Sequence, residues 1–348
     1  METIWFCLVA IMIAGYVILD GFDLGAGFAH LFVARSEQER TAILGTVGPV
    51  WDGNEVWLLA GGGTLYFAFP ALYSASFSGF YLALMMVLWL LILRGVSVEV
   101  RNHVDNALWR PFWDFVFGAS SALLCLLFGV ALGNVVRGVP LDASGFFFIP
   151  LWTNFTPGTY AGIIDWYTIL IGVASFSALA VHGCLWVALK TMGELRERAR
   201  RTAMRWWWVV LVITFVITVL SFRLQPHLAR QFSDYPFGLV FPAIALAGLA
   251  GTFWFTHSGH DRNAFLSSCA YLLGMLTSVV FGVYPFVLPA STNPDYSLNI
   301  WNAAAPRYGL VVGLWWWIPG MILALAWSVF SYRRFSGRVS PGGETDLL

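Results

Sequence analysis

IWFCLVAIMIAGYVILDGFDLGAGFAHLFV, residues 4–33, is the stretch from which the fold can be read. It contains no Lys or Arg and is longer than the ~20 residues a helix needs to cross the hydrocarbon of a bilayer, so it is a membrane span. Yet it carries Asp20 and Asp23, three positions apart and therefore on one side of a helix. A carboxylate facing lipid is costly, so such groups turn inward and serve an ion path, a polar packing site or a ligand counter-charge. Gly21 and Gly25 beside them form a small-xxx-small pair that lets a second helix approach closely.

The rest of the chain matches this beginning. Of its 348 residues 59% are hydrophobic and 11% charged, and the mean hydropathy is +0.73, which places it among integral membrane proteins. Formal net charge is zero, and no basic patch is interleaved with aromatics, so nucleic acid is excluded as a partner. Apolar runs predict nine spans, near residues 4–33, 50–71, 76–94, 112–133, 160–189, 206–223, 236–256, 265–289 and 309–332. Gly61-Gly62-Gly63 interrupts the second and favours close helix contact there. Met1-Glu2-Thr3 lacks the basic region of a cleavable signal, so the first span is expected to stay in the mature chain.

Orientation follows from the basic residues. Arg35, Arg40, Arg94, Arg101, Arg110, Lys190, Arg196, Arg198, Arg200, Arg201, Arg205, Arg262, Arg333, Arg334 and Arg338 follow the odd-numbered spans; only Arg137, Arg223, Arg230 and Arg307 lie on the other side. The positive-inside bias then predicts the N-terminus outside and the C-terminus in the cytoplasm. The basic stretch Glu194 to Arg205 is expected to anchor that face and touch anionic lipid.

Depth gathers the acids. Asp20 lies sixteen residues after Ile4, about 24 Å along the helix and thus near the cytoplasmic end. Asp52 and Glu55, also three apart and so expected together on one side of their helix and away from lipid, open the second span at the same level, and Glu99, Asp105 and Asp114 lie in or beside the next cytoplasmic connection. Two readings stand: a proton path, since neighbouring carboxylates can hold and release protons near neutrality, or pairing with Arg94 and Arg101 for assembly. His182, inside the fifth span, can ligate a haem, donate to a quinone or serve polar packing. His257 and His260 beside Asp261 make a weak metal pattern, and Cys7, Cys125, Cys184 and Cys269 stand singly, as buried thiols do.

These residues resemble a family. DGFDLG at 20–25, WDGNEVWL at 51–58, FSGFY at 77–81, Arg94-Gly95, Trp109-Arg110 with Trp113-Asp114, GVALGNVVRG at 129–138, Gly193-Glu194-Leu195 and YPFVLP at 284–289 followed by Ser291-Thr292 resemble subunit II of the cytochrome bd quinol oxidases, in order and over nearly the whole chain.

The resemblance implies an all-α polytopic protein of the bacterial inner membrane: two four-helix bundles plus one peripheral helix. Residues 1–133 would form the first bundle, 134–159 an external connection, 160–335 the remaining five helices including the second bundle, and 336–348 a cytoplasmic tail, which the sequence itself leads one to expect disordered from Arg338 to Leu348. It further implies a heterodimer in which subunit I carries two haems b, one haem d and the quinol-oxidising loop, while this chain ligates none. A structural quinone, a small accessory single-span subunit, membrane quinol and lipids are the further partners it suggests. Asp52 matches the family acid associated with a cytoplasmic proton route, with Asp20, Asp23, Glu55, Glu99 and Asp105 around it. Gly21, Gly25, Trp51, Trp57, Arg94 and Arg101 are expected to pack helices or subunits. An ion-coupled transporter, which also uses buried acids and broken helices, and a purely structural scaffold are the alternatives.

Overall fold

The computed structural model describes residues 1–104 and 106–339. The chain is helical nearly throughout: α1 (Glu2–Phe32), α2 (Glu37–Val47), α3 (Trp51–Ala68), α4 (Pro70–Gly79), α5 (Tyr81–Val100), α6 (Trp109–Arg137), α7 (Trp166–Lys190), α8 (Gly193–Leu224), α9 (Pro226–Asp234), α10 (Val240–His257), α11 (Asp261–Val283) and α12 (Arg307–Arg334). Among the described residues eight helices are long and apolar enough to cross a membrane, and nine if α3 and α4 count as one broken span. This is a polytopic all-α membrane protein.

The expected limits need three corrections. The predicted third span at 76–94 begins too early: residues to Gly79 belong to α4, which turns 119° from α3 at Phe69-Pro70. Proline at the first helical position supplies the preset φ for this restart. The fifth span starts at Trp166 rather than 160, because Asp165 caps it, accepting from the Tyr167 and Thr168 amides at 2.8 and 3.0 Å while Thr168 Oγ1 accepts from the Asp165 amide. The eighth ends at Val283, and Phe286–Leu288 instead pairs antiparallel with Leu298–Asn299 as β1 and β2. The short helices α2 and α9 lie outside every predicted span.

α1 is the central element and packs against α3, α6, α7 and α11. Its contact with α7 is backbone on backbone: a Cβ added at Gly25 would stand 2.0 Å from the Leu179 carbonyl oxygen, and one at Gly183 would stand 2.1 Å from the Gly25 carbonyl carbon. Only glycine permits that approach. On the far side, Gly138 closes α6 with φ +93°, and a buried Arg137 reaches Asp165, Asn134 Oδ1 at 2.7 Å and the Gly162 carbonyl at 3.1 Å. One polar cluster thus ties the end of α6 to the start of α7.

Candidate functional site

At the level of Asp20 three helices meet around one guanidinium. Arg94 of α5 has a side chain 2% exposed and donates to Asp20 Oδ1 at 2.6 Å and to Glu55 Oε2 at 2.9 Å. The Trp51 ring lies 6.0 Å from that guanidinium and against Gly95, where a Cβ would come within 3.1 Å of it. Asp23, one turn further along α1, is also buried and accepts from Asn54 Nδ2 at 2.8 Å. Asn54 Oδ1 in turn accepts from the Tyr332 hydroxyl of α12 at 2.6 Å. Asp20 Oδ2, Asp23 Oδ1 and the Tyr16 hydroxyl are buried without a hydrogen-bond partner among the described residues.

The spacing of α3 explains which of its residues join. Asn54 and Glu55 turn toward α1 and α5, whereas Asp52 is exposed, at the head of a stripe that continues through Val56, Leu59, Gly63 and Tyr66 at helical intervals. Glu99 is exposed near the end of α5. Asp105 lies outside the described residues. The sequence-predicted acids therefore separate: Asp20, Asp23 and Glu55 are gathered inside, while Asp52 and Glu99 look outward. Trp57 is buried with its edge over Gly15, and Gly21 faces the Leu179 side chain.

A second cluster lies at the end of α1. Asp114 of α6, 2% exposed, accepts from His30 Nε2 at 2.6 Å, from Arg40 Nη1 at 3.1 Å and from Arg101 Nε, and Arg101 Nη2 also reaches Glu37 at 2.9 Å. Arg101 is thus a clamp between α2, α5 and α6. Beside it Glu39 pairs with Arg198. Partial burial works against the Glu39 carboxylate, but the Arg35 amide and the Arg198 guanidinium outweigh it and hold the group below its ordinary value of 4.5.

Sequence reasoning missed Asn54 and Tyr332 as members of the site, and His30 and Asp114 as a pair. One signal was available: His30 follows Asp23 by seven residues, two turns on the same face of α1.

The model of the family described as cytochrome bd terminal oxidase subunit II matches residues 1–335. The chain belongs to that family. It is 32% identical to the probable cytochrome oxidase subunit 2 of Haemophilus influenzae, over 97% of this chain and 95% of that protein. It is 31% identical to the cytochrome bd ubiquinol oxidase subunit 2 of Bacillus subtilis, over 96% of each. Its fold is similar to a chain of the bd oxidase from Geobacillus thermodenitrificans, with TM-score 0.75, 16% identity and coverage of 96% of this chain and 97% of that one. As a bd-family second subunit it is part of a terminal oxidase, an oxidoreductase of the bacterial inner membrane.

The family implies haem in the complex, but the best-placed ligand in this chain does not fit one. His182 Nε2 donates to the Ile18 carbonyl at 2.9 Å, which fixes a proton there, and Nδ1 lies 2.7 Å from the Ser268 hydroxyl, which also reaches the Phe265 carbonyl at 2.6 Å. The ring also stacks on Phe265 at 4.8 Å. With both nitrogens engaged, His182 packs α1, α7 and α11 together.

Proposed function

We propose that this chain is the haem-free second subunit of a heterodimeric quinol oxidase and that it contributes a proton route from the cytoplasm toward the partner's haems. In this reading the N-terminus is outside. α1, α3, α5 and α6 form one four-helix bundle, α7, α8, α10 and α11 the other, and α12 is peripheral, as their packing neighbours support. The donor is a membrane quinol, in keeping with the ubiquinol named for the Bacillus relative. Reduction of one dioxygen to two waters takes four protons, and drawing them from the cytoplasm while quinol releases its own outside charges the membrane.

The observation that carries this reading is the division of the acids on α3. Asp52 stands at an exposed surface that a partner subunit can cover, on the opposite side of α3 from Asn54 two residues on, which is bonded to buried Asp23. Three carboxylates around a single guanidinium leave a surplus of negative charge, and protonation removes it, so the cluster is a place where protons can be held and passed on. Glu99 and Asp105 would gather protons at the mouth. The Arg94 clamp favours a second role within the same site: Asp20 and Glu55 hold α1, α3 and α5 together, leaving Asp52 and Asp23 as the carriers. Asp52→Asn in the assembled complex is expected to slow quinol-driven oxygen uptake while the reduced-minus-oxidised haem spectrum stays unchanged. Lost haem incorporation with normal turnover per haem would assign Asp52 to assembly instead.

A further inference from the structure

α12 is held to the rest of the chain at two levels. Near its start Gly313 sits against the Phe67 ring, and Trp317 Nε1 donates to Thr64 Oγ1 at 3.2 Å. Near its end the Tyr332 hydroxyl bonds Asn54. Between these levels a groove of about 580 Å³ separates α12 from α1 and α3, within the roughly 300–1,000 Å³ that small-molecule sites occupy. Gly15, Ile18 and Leu19 of α1 and Trp57 of α3 line one side, and α12 from Leu325 onward lines the other.

The polarity of this groove is graded along its length. Ser328 Oγ is spent on the Ala324 carbonyl of its own helix at 3.0 Å, and the Tyr332 hydroxyl is spent on Asn54. What remains polar is Arg333 and Ser336, both at the end where α12 leaves the apolar layer. Arg333 has no ion-pair partner among the described residues. From Leu325 to Arg333 is about 12 Å at 1.5 Å per residue, close to the ~15 Å apolar half of a bilayer. A basic head above an apolar trough one leaflet deep is complementary to a lipid with a negative headgroup. A soluble anion would leave the trough unused, and a zwitterionic lipid would bring its own cation beside Arg333 and leave the charge of the site uncompensated.

We propose that this groove binds one anionic phospholipid of the adjoining leaflet, its phosphate on Arg333 and Ser336 and an acyl chain along Gly15, Trp57 and Val329. The lipid fills the gap in the attachment of α12 and so holds Tyr332 on Asn54. The test uses the complete oxidase complex, delipidated and returned to nanodiscs of phosphatidylcholine alone or with phosphatidylglycerol, read by native mass spectrometry and by thermal unfolding. Wild type is expected to retain phosphatidylglycerol and to melt higher in its presence. Arg333→Glu, which reverses the head charge, and Val329→Trp, which fills the trough but keeps Arg333, should each cut retention at least fivefold and abolish the thermal gain. Arg338→Glu, beyond the groove, should do neither. If the charge reversal prevents assembly, Arg333→Gln is read in the same assay. Retention equal to wild type in either groove variant, equal stabilisation by phosphatidylcholine, recovery of an isoprenoid quinone in place of phospholipid, or photo-crosslinking of position 329 to the partner subunit would each overturn the proposal.

Discussion

Replacing Arg94 by Met should destabilise the complex by about 4 kcal/mol, because breaking a buried ion pair from one side costs roughly 3–5 kcal/mol. The guanidinium is 2% exposed and Asp20 wholly buried, so the carboxylate left behind cannot turn to water. Glu55, 22% exposed, can, and it contributes the smaller share. The informative variant is the double one. Arg94→Met with Asp20→Asn removes both buried charges at once, and since neutral replacement of a buried pair is often without net cost, more than half of the lost stability should return. The assay is thermal and denaturant unfolding of the detergent-solubilised complex across all four members of the cycle, with haem content as a check on assembly. A double variant as unstable as Arg94→Met alone would refute the reasoning, because the damage would then come from lost packing against Trp51 and not from an abandoned charge.

Further outcomes follow from the same geometry. Gly25→Ala must push α1 and α7 apart by at least about 1 Å to bring its Cβ from 2.0 Å to the 3.0 Å that real contacts respect. That should lower stability by roughly 1–3 kcal/mol or more, measured by unfolding, whereas Gly320→Ala, with nothing within 4 Å, should be neutral or slightly stabilising. Glu39 is held below its ordinary value, so its contribution is complete above pH 4.5 and is lost as pH falls through the lowered value. The stability gap between wild type and Glu39→Gln should therefore be flat from pH 7 to 5 and narrow in more acidic buffer. A gap that widened on acidification would contradict the pairing with Arg198.

Spans separated by polar breaks were legible because hydrophobic length is a local property. The elbow at Phe69-Pro70 was not, since the apolar composition runs on through the turn and hydropathy carries no direction. α2 and α9 escaped for the opposite reason: they are polar enough to read as connections. Asp20 and Asp23 announced themselves by being acids in an apolar run. Their partners could not: Arg94 is 74 residues from Asp20, and Tyr332 is 278 from Asn54, distances over which no periodicity connects two positions. A spacing of three sets Asp52 and Glu55 only about 60° apart around α3, and the edge of the buried face falls between them, at a place fixed by the neighbours of α3 and not by the spacing.

The 119° elbow leaves the last carbonyls of α3 without a continuing helix, and one of them, on Ala68, accepts the Ala305 amide at 2.9 Å. That bond sets the axial register of α12, a 28-residue rod about 42 Å long, whose opposite tip carries the hydroxyl that steadies Asn54. Deleting Pro306, which is extended at ψ 142°, would shorten the connection and slide the rod by up to about 3.5 Å, enough to part a 2.6 Å bond at its other extremity. A loop on one side of the membrane thereby acts as the adjusting screw for a carboxylate near the other.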